Sequence, residues 1–81
     1  MTVHVRLFAL LRDLAQTTQT SLDLSDGATV ADAVTAVAAR YPAVSPALAR
    51  TAYAVNMTKV DANAVLHDGD ELALLPPVSG G

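Results

Sequence analysis

A chain of 81 residues allows one domain, near the lower limit for a self-sufficient core. Five basic and eight acidic residues (net −3), with three aromatics, give no cationic stripe or stacking platform and exclude nucleic acid as a partner. The lack of cysteine excludes a disulfide framework, a thiolate metal site and a catalytic thiol. With no signal-like start and no apolar run of about 20 residues, it points to a soluble, cytoplasmic chain with no membrane partner.

Thr2 to Phe8 alternates, with Val3, Val5 and Leu7 on one face and His4 and Arg6 on the other, which predicts a half-buried strand. Ala9 to Ala15 reads as a short helix with Leu10, Leu11 and Leu14 inward and Arg12 and Asp13 outward. The polar run from Gln16 to Gln19 breaks it. Thr20 to Leu24 alternates again, and Ser25-Asp26-Gly27 makes a turn. Thr29 suits a helix N-cap with Asp32 at the positive helix end. Val30, Ala33, Val34, Val37 and Ala38 then recur at helical spacing until Tyr41-Pro42 stops the helix.

Residues 43–50 read as a connector with room for one helical turn. Ala52 to Val55 is a short strand, Asn56-Met57-Thr58 a turn and Lys59-Val60 its brief return, followed by an irregular crossing from Asn63 to Leu66. Asp68-Gly69-Asp70 turns the chain into a last strand, Glu71 to Leu75. This order predicts an α+β fold, a sheet with helices on one face. No second domain boundary interrupts residues 1–75.

The final segment, Pro76-Pro77-Val78-Ser79-Gly80-Gly81, has a different chemistry. Two prolines stiffen the exit from the last strand, and two residues without side chains allow close approach to another surface. We read residues 76–81 as an extended tail and the Gly81 carboxylate as the working group. Pro76 and Pro77 limit the entropy lost on docking. Val78 and Ser79 offer extended backbone to a partner, and Gly80 and Gly81 fit a channel that a side chain would block. His4 and His67 lack an organising carboxylate pattern and read as surface residues. The acidic Asp68-Gly69-Asp70-Glu71 run needs no metal, so no metal site is expected.

Phe8-Ala9 leading to Arg12-Asp13-Leu14, then Ala54-Val55-Asn56, then Asp68-Gly69-Asp70-Glu71 and the Pro-Pro-Val-Ser-Gly-Gly tail resemble the small subunits of molybdopterin synthase. These belong to the ubiquitin-like sulfur carriers. The resemblance spans the chain and implies a β-grasp fold, a mixed sheet of four to five strands. Its implied chemistry is adenylation of Gly81 with ATP by a ubiquitin-activating-type adenylyltransferase. A sulfur donor protein then converts the adenylate to a thiocarboxylate. That sulfur goes to cyclic pyranopterin monophosphate inside the large subunit, in molybdenum cofactor biosynthesis.

Alone, such a chain is the sulfur-donating subunit of a sulfurtransferase heterotetramer, with no catalysis and no permanently bound cofactor of its own. The resemblance adds Phe8, Arg12, Lys59 and Leu75 to the tail as partner-contact candidates. Phe8 could equally pack in the core, Arg12 stand as a solvated helix charge, and Leu75 belong to the core or an interface edge. Lys59, Leu74 and Leu75 depart from residues common in that family. A carrier for thiamine, cysteine or tRNA thiolation, a protein-conjugating modifier, and an interaction domain with an incidental Gly-Gly end stay open as alternatives.

Overall fold

The computed structural model describes residues 1–75; the tail, residues 76–81, lies outside the described residues. Five strands form one sheet: β1 (Thr2–Leu7), β2 (Gln19–Asp23), β3 (Ala52–Val55), β4 (Thr58–Val60) and β5 (Glu71–Leu75). Their order is β2-β1-β5-β3-β4. β1 pairs antiparallel with β2 and parallel with β5, His4 opposing Glu71 and Leu7 opposing Leu74. β3 pairs antiparallel with β5 and with β4. The helices α1 (Ala9–Ala15), α2 (Val30–Arg40) and α3 (Ser45–Leu48) join the core on one side of the sheet. A mixed sheet with parallel first and last strands at its centre, crossed by one long helix, is the β-grasp arrangement.

Alternation builds the core. Val3, Val5 and Leu7 of β1 point inward with Leu72 and Leu74 of β5 and Leu22 of β2. Leu11, Val30, Ala33, Val37, Val44 and Leu66 meet them from the helical layer. The one buried polar side chain among the described residues, Thr20, is satisfied by the Arg40 guanidinium, which donates to its Oγ1 at 2.7 Å. Arg40 also donates to the Ser21 carbonyl at 2.9 Å, and the Thr17 hydroxyl donates to the Gln19 carbonyl at 2.9 Å. These two carbonyls lie on the sheet's outer β2 strand, where free backbone groups invite strand pairing between molecules.

Helix α2 begins as the sequence indicates. Thr29 Oγ1 accepts from the Asp32 N–H at 3.3 Å while the Thr29 N–H donates to Asp32 Oδ2 at 2.9 Å, a reciprocal cap. The irregular crossing completes it: the N–H groups of Val30 and Ala31 donate to the carbonyls of Ala64 and Ala62. All three leading donors of the helix are therefore partnered.

Four readings shift. Leu10, expected inward, is 55% exposed. Ala9 opens the helix at φ 48°, and this sharp corner turns Leu11 rather than Leu10 toward the core. β1 ends at Leu7, so Phe8 caps α1 instead of lying in the strand. The β3–β4 turn is tighter than expected: Asn56 and Met57, both at positive φ, form a two-residue type I′ connection. The 43–50 connector holds a 3-10 turn at Pro42–Val44 as well as α3. Among the described residues, no helix is long and apolar enough to cross a membrane.

Two stability measurements check this account. Thr29→Ala removes one half of the reciprocal cap and is expected to cost about 1 kcal/mol in chemical denaturation. Met57 carries a Cβ at φ 70° and its side chain is 95% exposed. Met57→Gly is therefore expected to raise stability by about 0.5 kcal/mol, or about 2–4 °C in Tm.

Candidate functional site

Several of the candidate residues gather on the face of the sheet turned away from the helices. Strand register fixes its membership. Ala54 opposes both Ala73 and Lys59, and Ala52 opposes Leu75. Arg6 opposes Ala73 on one side and Gln19 on the other. Lys59, Ala54, Ala73, Arg6 and Gln19 thus form one row across all five strands, and Ala52 and Leu75 lie two residues further toward the tail. Three alanines make the floor of this surface shallow, so another backbone can approach it closely.

Phe8 and Leu75 stand at the end from which the tail departs. Phe8 remains extended (φ −124°, ψ 156°), so continuing the parallel β1–β5 register by one residue sets it alongside Leu75. The Arg6 guanidinium carbon lies 5.5 Å from the centre of the Phe8 ring, which holds the ring over the open face. Neither Phe8 nor Leu75 belongs to the core cluster; both are half-buried. Core packing, left open for both residues, is therefore not where the structure puts them. Leu74, by contrast, is fully buried.

Charge frames this apolar end. Arg6 approaches Glu71 at 3.7 Å, with each side chain about half exposed, an ion pair of small energetic weight. Lys59 is exposed on β4. Arg12 is exposed on α1 and lies 3.6 Å from its neighbour Asp13, in the helical layer and not in the strand row of the open face. Pro76, Pro77, Val78, Ser79, Gly80 and Gly81 lie outside the described residues. Leu75, the last residue of β5 and the last described, stands next to Phe8 at the start of α1.

The far end of the sheet is rigid by hydrogen bonding. Asn56 Nδ2 donates to Asp70 Oδ1 at 2.9 Å, and Asn56 Oδ1 accepts from the Glu71 N–H at 3.0 Å. Asp70 Oδ2 also accepts from the His67 N–H at 2.8 Å, and Asp68 Oδ1 from the Thr2 N–H at 2.7 Å. These carboxylates are engaged in shaping a turn, with Gly69 at φ 83° supplying its bend. His4 and His67 are exposed, and no group of three metal-ligating side chains forms among the described residues.

Sequence reasoning missed Arg6 as the group that positions Phe8, and it missed the alanine floor. The alternation Ala52-x-Ala54 and the lone Ala73 between Leu72 and Leu74 held the signal. Small residues at both outward positions of β3 and at the central one of β5 come together only once register is known.

Comparison with known proteins agrees with this geometry. The ThiS family matches residues 5–81. The molybdopterin synthase sulfur carrier subunit of Chlamydomonas reinhardtii is 34% identical over 83 residues, covering 100% of both chains. The subunit of that name from Drosophila yakuba is 33% identical over 98% of this chain and 90% of the relative. Among solved structures, SAMP1 from Haloferax volcanii superposes with a TM-score of 0.90 at 31% identity over 100% of both chains. The complex of subunits 1 and 2 of molybdopterin-converting factor from Helicobacter pylori gives a TM-score of 0.72 at 29% identity, with 100% of both chains covered. The BexX/CysO complex of Amycolatopsis orientalis gives 0.75 at 28% identity, covering 98% of this chain and 99% of that one. By its sequence from Val5 onward and by its ubiquitin-like β-grasp fold, this chain belongs to the ThiS family.

Proposed function

We propose that this chain is the sulfur-carrier small subunit of a molybdopterin synthase, a 1–75 β-grasp domain bearing a 76–81 carrier tail. The observation that carries the reading is end-to-end similarity to subunits of that name, in a chain that closes on Gly80-Gly81. A carboxylate is a poor acyl donor, because its charge repels nucleophiles and oxide does not leave. Adenylation by ATP in a partner enzyme gives the Gly81 acyl carbon a good leaving group. A sulfur nucleophile then displaces AMP and leaves a thiocarboxylate.

The chain itself contributes the acyl carbon, the tail and a docking face. Its Phe8 and Leu75 supply an apolar anchor beside the tail's origin, and the alanine floor admits close backbone contact. The structure of subunits 1 and 2 together in the Helicobacter pylori factor supports a large subunit as the partner, and that face is where this reading docks it. Thiocarboxylate sulfur delivered there to cyclic pyranopterin monophosphate completes the reading, and the spent carboxylate returns for reloading. Residence in the cytoplasm and assembly as a heterotetramer are part of the same proposal.

A second reading is favoured by the TM-score of 0.90 with a small archaeal modifier protein. In that reading the activated Gly81 joins amines of other proteins instead of passing on sulfur.

Fragmentation mass spectrometry of the C-terminal peptide separates the two. After incubation with the adenylating enzyme, ATP and a sulfur source, replacement of one oxygen by sulfur is expected at Gly81. Sequencing the peptide distinguishes this from oxidation of Met1 or Met57. Discharge on addition of the large subunit and its pterin substrate supports the leading reading; persistence of the thiocarboxylate there, with amide links to other proteins, supports the second. Failure of an active enzyme to load Gly81 sinks both. Leu75→Ala, which leaves the core untouched, is expected to weaken large-subunit binding about tenfold by calorimetry, as loss of about 1.4 kcal/mol of apolar contact requires.

A further inference from the structure

The two outer strands of the sheet carry backbone groups with which a further strand could pair. β4 has three residues and its central one is Lys59, so shortness and charge blunt that edge. β2 has five, Gln19–Asp23, and charge enters only at the last of them. Its pairing with β1 assigns its backbone groups. The Leu7 N–H donates to the Thr18 carbonyl and the Leu24 N–H to the Met1 carbonyl, so by alternation Thr20 and Leu22 bond toward β1. Gln19, Ser21 and Asp23 turn their N–H and C=O groups outward, and all three residues are exposed.

This outward row is complementary to a copy of itself. Laid antiparallel about Ser21, Gln19 of each copy opposes Asp23 of the other, and Ser21 opposes Ser21. Every outward N–H then faces an outward carbonyl, and no like charges of the two strands are opposed. Two side chains stand in the way, and one is charged. Arg40 lies in the last turn of α2, where a cation suits the helix end. Its guanidinium donates to the Ser21 carbonyl at 2.9 Å and to Thr20 Oγ1 at 2.7 Å. Among the described residues no carboxylate pairs with it. The Ser21 carbonyl sits at the axis of the pairing, so two copies would bring two arginines together there. The Thr17 hydroxyl holds the Gln19 carbonyl, a neutral bond and the weaker of the two obstacles.

We propose that the outer edge of β2 is a pairing surface for a second copy of this chain, held shut by Arg40. The guanidinium withholds the carbonyl at the centre of the register and sets a like charge there in each copy. Clearing it lets one sheet run through both copies.

Sedimentation velocity of the full chain over a range of concentrations, with circular dichroism to follow the fold, tests this. The unsubstituted chain is expected to be a monomer. Arg40→Ala/Thr20→Val clears the edge, and the valine leaves no hydroxyl orphaned. Neither copy then has a charge-assisted bond to break, a factor of about ten apiece, so dimerisation is expected to tighten about a hundredfold. Arg40→Met/Thr20→Val keeps the apolar stem and carries the same expectation where the alanine costs the fold. Adding Ser21→Pro removes the central outward N–H without touching the β1 ladder and is expected to restore the monomer. Thr20→Val alone retains the Arg40 bond to Ser21 and is expected to stay monomeric; dimerisation there overturns the role of Arg40. A folded double variant that remains monomeric overturns the proposal. So does a dimer that persists with Ser21→Pro, or an unsubstituted dimer that Ser21→Pro dissolves.

Discussion

Everything in this fold depends on the parallel pairing of β1 with β5. It joins residues more than 60 positions apart, from His4 opposite Glu71 to Leu7 opposite Leu74. Two of the strands richest in buried aliphatics thereby lie side by side at the centre of the sheet. Parallel neighbours cannot be linked by a tight turn, so the intervening chain must cross over, and α2 is the element that does so. Burying Val3, Val5, Leu72 and Leu74 on one side leaves His4, Arg6, Glu71 and Ala73 on the other. Core and open face are two sides of one register.

That register also explains why Phe8 and Leu75 meet. Parallel strands end at the same edge of the sheet, so the residue leaving β1 for α1 and the residue leaving β5 for the tail come out together. Arg6 lies over the Phe8 ring and beside Glu71; neither contact is strong when exposed. Their effect is to orient a ring that the core does not hold. On this view α1 is short because its main task is to turn the chain, through Ala9 at φ 48°, and to drop Leu11 into the core.

Much of the fold was legible in the sequence because local rules and tertiary packing agree. Alternation at Thr2–Leu7, the Thr29–Asp32 cap, the stop at Tyr41-Pro42 and the Asp-Gly-Asp turn all specify what forms. Leu10 was misread because helical periodicity assumes that the first residue continues the helix frame, whereas the positive φ of Ala9 resets it. Tight closure at Asn56-Met57 was hidden because methionine rarely sits at positive φ. For the site, the tail was singled out by its composition, and Phe8, Lys59 and Leu75 were picked out by resemblance. Their common face, the alanine floor and the part played by Arg6 needed pairing partners that no local pattern supplies.

The central pair also governs how the protein is made. During synthesis, β1 and β2 leave the ribosome long before β5, so the apolar side of the β1–β2 hairpin has no β5 neighbour until about 50 more residues have been added, several seconds at ordinary translation speeds. Native contacts of such sequence separation make for slow folding. Over that interval the nascent pair carries Val3, Val5 and Leu7 with one edge unpaired, and polar residues such as its alternating His4 and Arg6 disfavour joining a neighbouring chain. Only with β5 is that edge paired. A chain of this design completes its open face with the same strand that completes its core.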